Sequence, residues 1–166
     1  MRTPNRRVLT EVDANWPDQR RADDQHLAWV WADICAQTAE NFVLVDAAGR
    51  AAGIWACKRA GLITLDGASF YRLDRFEIAP QYRGAKVYAG ETLAVLLFSV
   101  VAARAEELSA AGVVLGALPA SVAFYAGLGG EERLVCGWTV ESGLIPFVFT
   151  SAQLVELRKD IDELVT

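Results

Sequence analysis

The sequence predicts an α+β fold, with a mostly antiparallel central sheet and helices packed on it. Three observations predict it. Extended runs bounded by Gly-bearing turns recur along the chain, some close enough to pair as hairpins. Helical stretches with apolar residues three and four apart stand among them. No repeat, low-complexity tract or linker-like shift in composition divides the chain, so residues 1–166 read as one domain. The expected element order is β–α–β–β–β–loop–α–β–α–β–β–α, a mixture that places helices against an antiparallel sheet.

Val8–Asp13 is expected as a short first strand, and Trp16-Pro17-Asp18 breaks the chain after it. A helix is expected from about Asp24 to Glu40. Asp23 or Asp24 caps it, and Leu27, Val30, Trp31 and Ile34 fall on one face. Phe42–Val45 and Ala52–Lys58 form a hairpin across the turn Asp46–Arg50. Gly61–Gly67 is read as a connection to a long extended run, Ser69–Ala79, which Pro80 ends. Gln81–Gly90 is a loop. Glu91 opens a strong helix, Thr92–Ala111, which Gly112 stops.

Val113–Leu115 is wholly apolar, as suits a buried central strand. Pro119 fits the first turn of a helix that runs to about Leu128 and ends at Gly129-Gly130. Arg133–Val140 and Leu144–Phe149 read as a strand pair joined by Glu141-Ser142-Gly143. Pro146 cannot donate to a ladder, so part of the last strand belongs at an edge or bulge. An amphipathic helix, Ala152–Leu164, closes the series.

Composition bounds the function. Apolar residues are 53% and charged residues 22% of the chain, as in a globular protein. The net charge of −5 argues against a nucleic-acid partner, which needs a basic surface to displace counterions. Arg2, Arg6 and Arg7 are not followed by an apolar run, so no signal peptide is read. The most apolar stretch, Leu93–Ala103, is short of the roughly 20 residues a bilayer span needs, so no membrane role is expected. Cys35, Cys57 and Cys136 are widely spaced and odd in number, which fits a cytoplasmic protein better than disulfides or a zinc site. With His26 as its one histidine, the chain offers no His-based metal centre, and no metal is expected.

The segment with the clearest chemistry is Gln81–Gly90. A strand entering a Gly-bearing loop that opens a helix presents unsatisfied backbone N–H groups, and the helix dipole adds about half a positive charge there. An anion such as a diphosphate suits that place. Arg83 and Lys86 add charge, while Gly84 and Gly90 leave room for close approach.

Two segments carry a family resemblance. Ile78-Ala79-Pro80-Gln81-Tyr82-Arg83-Gly84 resembles the signature at the end of the fourth strand of the GNAT acyltransferase superfamily, Gln81-x-x-Gly84 matching the opening of its Gln/Arg-x-x-Gly-x-Gly/Ala motif. Ala123-Phe124-Tyr125-Ala126-Gly127-Leu128-Gly129-Gly130 is similar to that family's second motif. The element order matches as well, over nearly the whole chain. The pattern departs at Lys86, where the second glycine falls, at Tyr88, where a small residue falls, and at Leu118, often Asn.

The resemblance implies a GNAT-like fold and an N-acyltransferase that moves an acetyl or other acyl group from acetyl-CoA, or another acyl-CoA, to an amine. It implies that Gln81, Tyr82, Arg83, Gly84, Ala85, Lys86 and Gly90 hold the diphosphate. Backbone groups around Phe76 and Ile78 would pair with the pantetheine arm. Tyr125 matches the family's proton donor, although a Tyr beside Phe124 on an amphipathic helix equally reads as core.

Charges on a central strand cost heavily unless paired or used, and Glu77, nearest the phosphate loop, is the preferred general base, directly or through a water. Alternation puts Arg75 and Glu77 on one face and Arg72 and Asp74 on the other, so Arg75–Glu77 or Arg72–Asp74 ion pairs are the competing reading. His26, Trp29, Trp31 and Trp55 are candidates for the acceptor pocket, or core. Cys57 and Cys136 read as small buried strand residues. The acceptor would be a small-molecule amine or a protein amino group, and a homodimer is compatible with the sequence. Two alternatives stay open: a non-catalytic acyl-CoA-binding or regulatory domain, favoured by Lys86, Tyr88 and Leu118, and a synthase drawing acyl chains from an acyl-carrier protein.

Overall fold

The computed structural model describes residues 5–9, 39–45, 51–58, 61–78, 82–84, 86–88 and 91–165. The helix expected from Asp24 to Glu40 lies mostly outside them, as do the turn at Asp46–Arg50, Pro80, Gln81, Ala85 and Gly90. The chain divides into two compact units, Met1–Gly61 with Asp74–Leu97, and Leu62–Leu73 with Phe98–Thr166.

In the first unit, β1 (Asn5–Leu9), β2 (Ala39–Val45), β3 (Ala51–Lys58) and a strand at Arg75–Ile78 form an antiparallel sheet in that order. Ala39 and Glu40 are therefore strand rather than the end of a helix. The expected β2–β3 hairpin is present, with Val43 opposite Ile54. Gly53, Trp55 and Cys57 alternate into the core of β3, as the two-residue period of a half-buried strand requires.

The second unit holds a five-stranded, mostly antiparallel sheet. The stretch Gly61–Gly67 is not a mere connection: Leu62–Leu65 is strand β4, paired with β5 (Ala68–Leu73). Asp66-Gly67 joins them with φ of 49° and 77°, the left-handed pair that a two-residue hairpin needs. The long run expected over Ser69–Ala79 is likewise two strands, β5 and β6 (Arg75–Ile78), interrupted at Asp74. Alternation of faces is thus not carried from Arg72 across to Glu77.

Two short strands follow in the first unit, β7 (Lys86–Tyr88) and β8 (Glu91–Thr92). Helix α1 (Leu93–Glu107) then gives Leu93–Leu97 to the first unit and Phe98–Glu107 to the second. Leu93, Leu97, Phe98, Val101, Ala102 and Ala105 form its buried stripe. Gly112 does not stop this helix. Ser109 does so earlier, at φ 54°, with Ala110 N–H donating to Ala105 O (2.9 Å) and Ser109 N–H to Glu106 O (2.8 Å).

Gly112 opens β9 (Gly112–Ala117), which runs parallel to β5 and antiparallel to a strand at Ile145–Thr150. Val113, Val114, Leu115 and Ala117 are buried, as expected of a central strand. After a 3₁₀ turn at Pro119–Ser121 comes α2 (Val122–Gly127). Gly129 sits at φ 90°, and Gly130 N–H donates to Tyr125 O (3.0 Å). That is the glycine stop expected of Gly129-Gly130.

The expected strand Arg133–Val140 is absent. On the side away from β9, β11 (Ile145–Thr150) meets the two-residue β10 (Glu131–Glu132), and Arg133 N–H donates to Pro146 O (3.1 Å). Pro146 has no N–H to return, so the ladder ends there, in keeping with the edge position expected of it. The following residues fold over the sheet instead. Val135 and Trp138 pack with Leu65, Val114 and Val148, and partly buried Ile63, Phe70 and Val140 join them. Cys136 consequently lies exposed in a turn, not within a strand, while Cys57 is buried as expected.

Helix α3 (Ser151–Val165) closes the second unit. Thr150 and Gln153 cap it reciprocally: Gln153 N–H donates to Thr150 Oγ1 (3.3 Å), and Thr150 N–H to Gln153 Oε1 (2.7 Å). Leu154 and Leu157 are its buried face.

Candidate functional site

The expected cofactor residues lie in the first unit. Strand β6 pairs antiparallel with β3, Phe76 opposite Trp55, Glu77 opposite Ile54 and Ile78 opposite Gly53. Among the described residues it is the last strand of its sheet, not the central strand expected. An edge strand presents a row of backbone groups outside its own ladder, which is what an extended ligand arm pairs with. Phe76 is half-buried and Ile78 buried.

Beyond β6, Tyr82 is half-buried and Arg83-Gly84 forms an exposed turn. Gly84 has φ 70°, and an added Cβ would meet nothing within 4 Å. The glycine is there for its backbone conformation, not for want of space. Arg83 reaches back along the chain, its Nε donating to Ile78 O at 3.0 Å.

The segment after Gly84 departs from the expected loop. Lys86 pairs with Thr92 and Tyr88 with Glu91, so β7 and β8 form a small antiparallel hairpin. Glu91 and Thr92 are strand residues and do not open the helix. Thr92 precedes α1, and its Oγ1 accepts from Val95 N–H at 3.5 Å, the side-chain contact of a helix cap. Val-Tyr at the centre of this stretch has the β-preference that the loop reading overlooked. The glycine turn and the helix N-terminus are therefore separate features of the sequence, and Lys86, exposed, belongs to the hairpin between them.

In the second unit, Tyr125 stands on α2 at 6% exposure. Its ring meets those of Phe124, Phe147 and Phe98 with centroids 5.1, 5.8 and 5.9 Å away, and that of Phe149 at 6.4 Å. Such edge and tilted contacts hold the ring firmly. Phe147 and Phe149 share one face of β11, opposite to Val148 and its cluster. Glycine at 130 permits the closeness, since a Cβ there would come within 2.5 Å of the Phe149 ring.

Leu118, where the family often has Asn, is 62% exposed just before Pro119. Among the acceptor candidates, Trp55 is 1% exposed and serves the core; His26, Trp29 and Trp31 lie outside the described residues, as does Cys35. Arg72 and Asp74 are half-buried. Among the described residues no cluster of His, Cys, Asp and Glu could hold a metal ion, and no helix is long and apolar enough to cross a membrane.

No protein-family model and no curated protein matches the sequence. Solved structures do match. An acetyltransferase of the GNAT family from Staphylococcus aureus is similar at 14% identity and TM-score 0.57, over 89% of this chain and 99% of that one. AtaTR bound with acetyl-CoA is similar at 17% identity and TM-score 0.62, over 95% and 99%. The KacTA complex with DNA is similar at 17% and 0.62, over 94% and 98%. At these identities the likeness is one of fold, and the fold of this chain is that of the GNAT superfamily.

Proposed function

We propose that residues 1–166 form a single acyltransferase domain on this GNAT fold, moving an acetyl or other acyl group from acyl-CoA to an amine. The observation that carries the reading is the turn at Arg83-Gly84, directly beyond β6. Gly84 has the left-handed φ, 70°, that occurs in the backbone nests suited to anions. The space where a Cβ would stand is open, and exposed Lys86 supplies positive charge. These residues fit a diphosphate. Coverage of 89–95% of the chain by the three similar structures supports the single-domain reading.

In this reading Gln81, Tyr82, Arg83, Gly84, Ala85, Lys86 and Gly90 hold the diphosphate, and the backbone from Phe76 to Ile78 pairs with the pantetheine arm. Acyl-CoA, when bound, supplies the thioester carbonyl. Glu77 takes a proton from the attacking amine, directly or through a water. Strand N–H groups stabilise charge on the carbonyl oxygen as the N–C bond forms. Tyr125 gives its proton to the sulfur as the C–S bond breaks, and solvent returns the proton held by Glu77 to Tyr125. The acceptor is a small-molecule amine or a protein amino group, and the protein works in the cytoplasm.

Net charge argues against a nucleic-acid partner, whereas the KacTA structure of similar fold contains DNA, so the fold runs partly against that exclusion. One observation favours a second reading, a non-catalytic acyl-CoA-binding domain: the β7–β8 hairpin occupies the place of the family motif's second glycine. Thermal melting with CoA, followed by transfer assays over a panel of amines, tests both. Stabilisation by CoA with transfer supports the enzyme. Stabilisation without transfer, unchanged by Tyr125→Phe, supports the second reading. No stabilisation defeats both.

A further inference from the structure

We propose that Arg83 is a positioning residue, a clasp joining the glycine turn to the end of β6, and not a ligand that serves the diphosphate through its charge. The proposal rests on the acyl-CoA reading above. Arg83 Nε donates to the carbonyl of Ile78, the last residue of β6, at 3.0 Å across five positions of the chain. Ile78 is 7% exposed, so the accepting end is anchored in the core. A bond from Nε restrains the whole guanidinium, because the group is rigid and flat. The next residue, Gly84, has open space on its Cβ side, so position 84 itself contributes no side-chain packing to the turn. The charged-donor bond is also of the stronger class.

Lysine separates the clasp from the charge, since it keeps the positive charge but has no N–H at the Nε position. Calorimetric titration of wild type, Arg83→Lys and Arg83→Ala with CoA and with pantetheine tests the proposal. Both variants are expected to bind CoA about tenfold more weakly than wild type, the scale of one lost hydrogen bond from a charged donor. The ratio of CoA to pantetheine affinity falls with it, because the turn serves the diphosphate end. Wild-type affinity in Arg83→Lys would make Arg83 a charge and overturn the clasp. Equal weakening towards both ligands, with a lowered melting temperature, would make it merely structural and overturn it too. Failure of wild type to bind CoA would remove the acyl-CoA reading itself, and the clasp with it.

Discussion

Replacing Gly84 with Glu separates a cofactor turn from an ordinary one. The structure sets the folding cost. At φ 70° any side chain is strained, by about 1–2 kcal/mol. Its Cβ meets nothing within 4 Å, so there is no steric addition. For a chain of this size each kcal/mol lowers the melting temperature by about 2–4 °C, so a fall of about 2–8 °C is expected. The effect on binding is larger. A carboxylate about 4 Å from one phosphate charge is repelled by about 1 kcal/mol in water-like surroundings and about 4 kcal/mol at an effective dielectric of about 20. CoA affinity should therefore fall by a factor between about fivefold and about a thousandfold. Gly84→Ala carries the same backbone strain without the charge, and should keep far more of the affinity. Calorimetric titration beside thermal melting reads both quantities. Refutation is simple: Gly84→Glu binding CoA within twofold of wild type, while melting lower, would place the diphosphate elsewhere.

Other consequences are independent of the cofactor. In Gly112→Ala the new Cβ would lie 2.1 Å from Phe149 O across the β9–β11 pairing, so strands must shift at a cost of about 1–3 kcal/mol. An unchanged denaturant midpoint would contradict that register. Trp138→Ala should lose about 3–5 kcal/mol in urea unfolding, since Trp138 is 8% exposed in the cluster over the sheet; a loss under about 1 kcal/mol would mean the 133–143 segment does not cover it. Under a thiol-alkylating reagent Cys136 should be modified in the folded protein and Cys57 only on unfolding, as peptide mass spectrometry would record. Equal rates at the two would be contrary.

Much of the architecture was legible because local chemistry dictates it. Apolar Val113–Leu115 lies within the central strand, and Gly129-Gly130 ends a helix through the left-handed φ of Gly129. The misreadings came from competition between local and distant partners. Asp66-Gly67 is a direct hairpin signal, but the short Leu62–Leu65 beside it was too small to be read as a strand. Arg133–Val140 has the alternation of one, yet Pro146 cannot complete the ladder, and Trp138 gains more by covering Leu65, Val114 and Val148. Ser109 ends α1 through a conformation usually left to glycine, which is why the sequence points to Gly112 for the stop.

At the candidate site, the sequence located the turn and the left-handed role open to Gly84. It did not foresee the β7–β8 pairing, which sets Lys86 opposite Thr92. Nor did it separate the two readings of Tyr125. Its burial among four rings is what a core residue needs, and the same packing would steady a proton donor.

The central claim is acyl transfer, and its most direct test is mass-spectrometric detection of product. Purified protein is incubated with acetyl-CoA and a panel of small amines and peptides, and the acceptor's mass and released thiol are followed. The account predicts an acetylated amine with wild type and a rate about 10²–10⁴-fold lower with Tyr125→Phe, the range for removing a general acid. CoA bound by the protein with no acceptor acetylated, or transfer that Tyr125→Phe leaves at the wild-type rate, would contradict it.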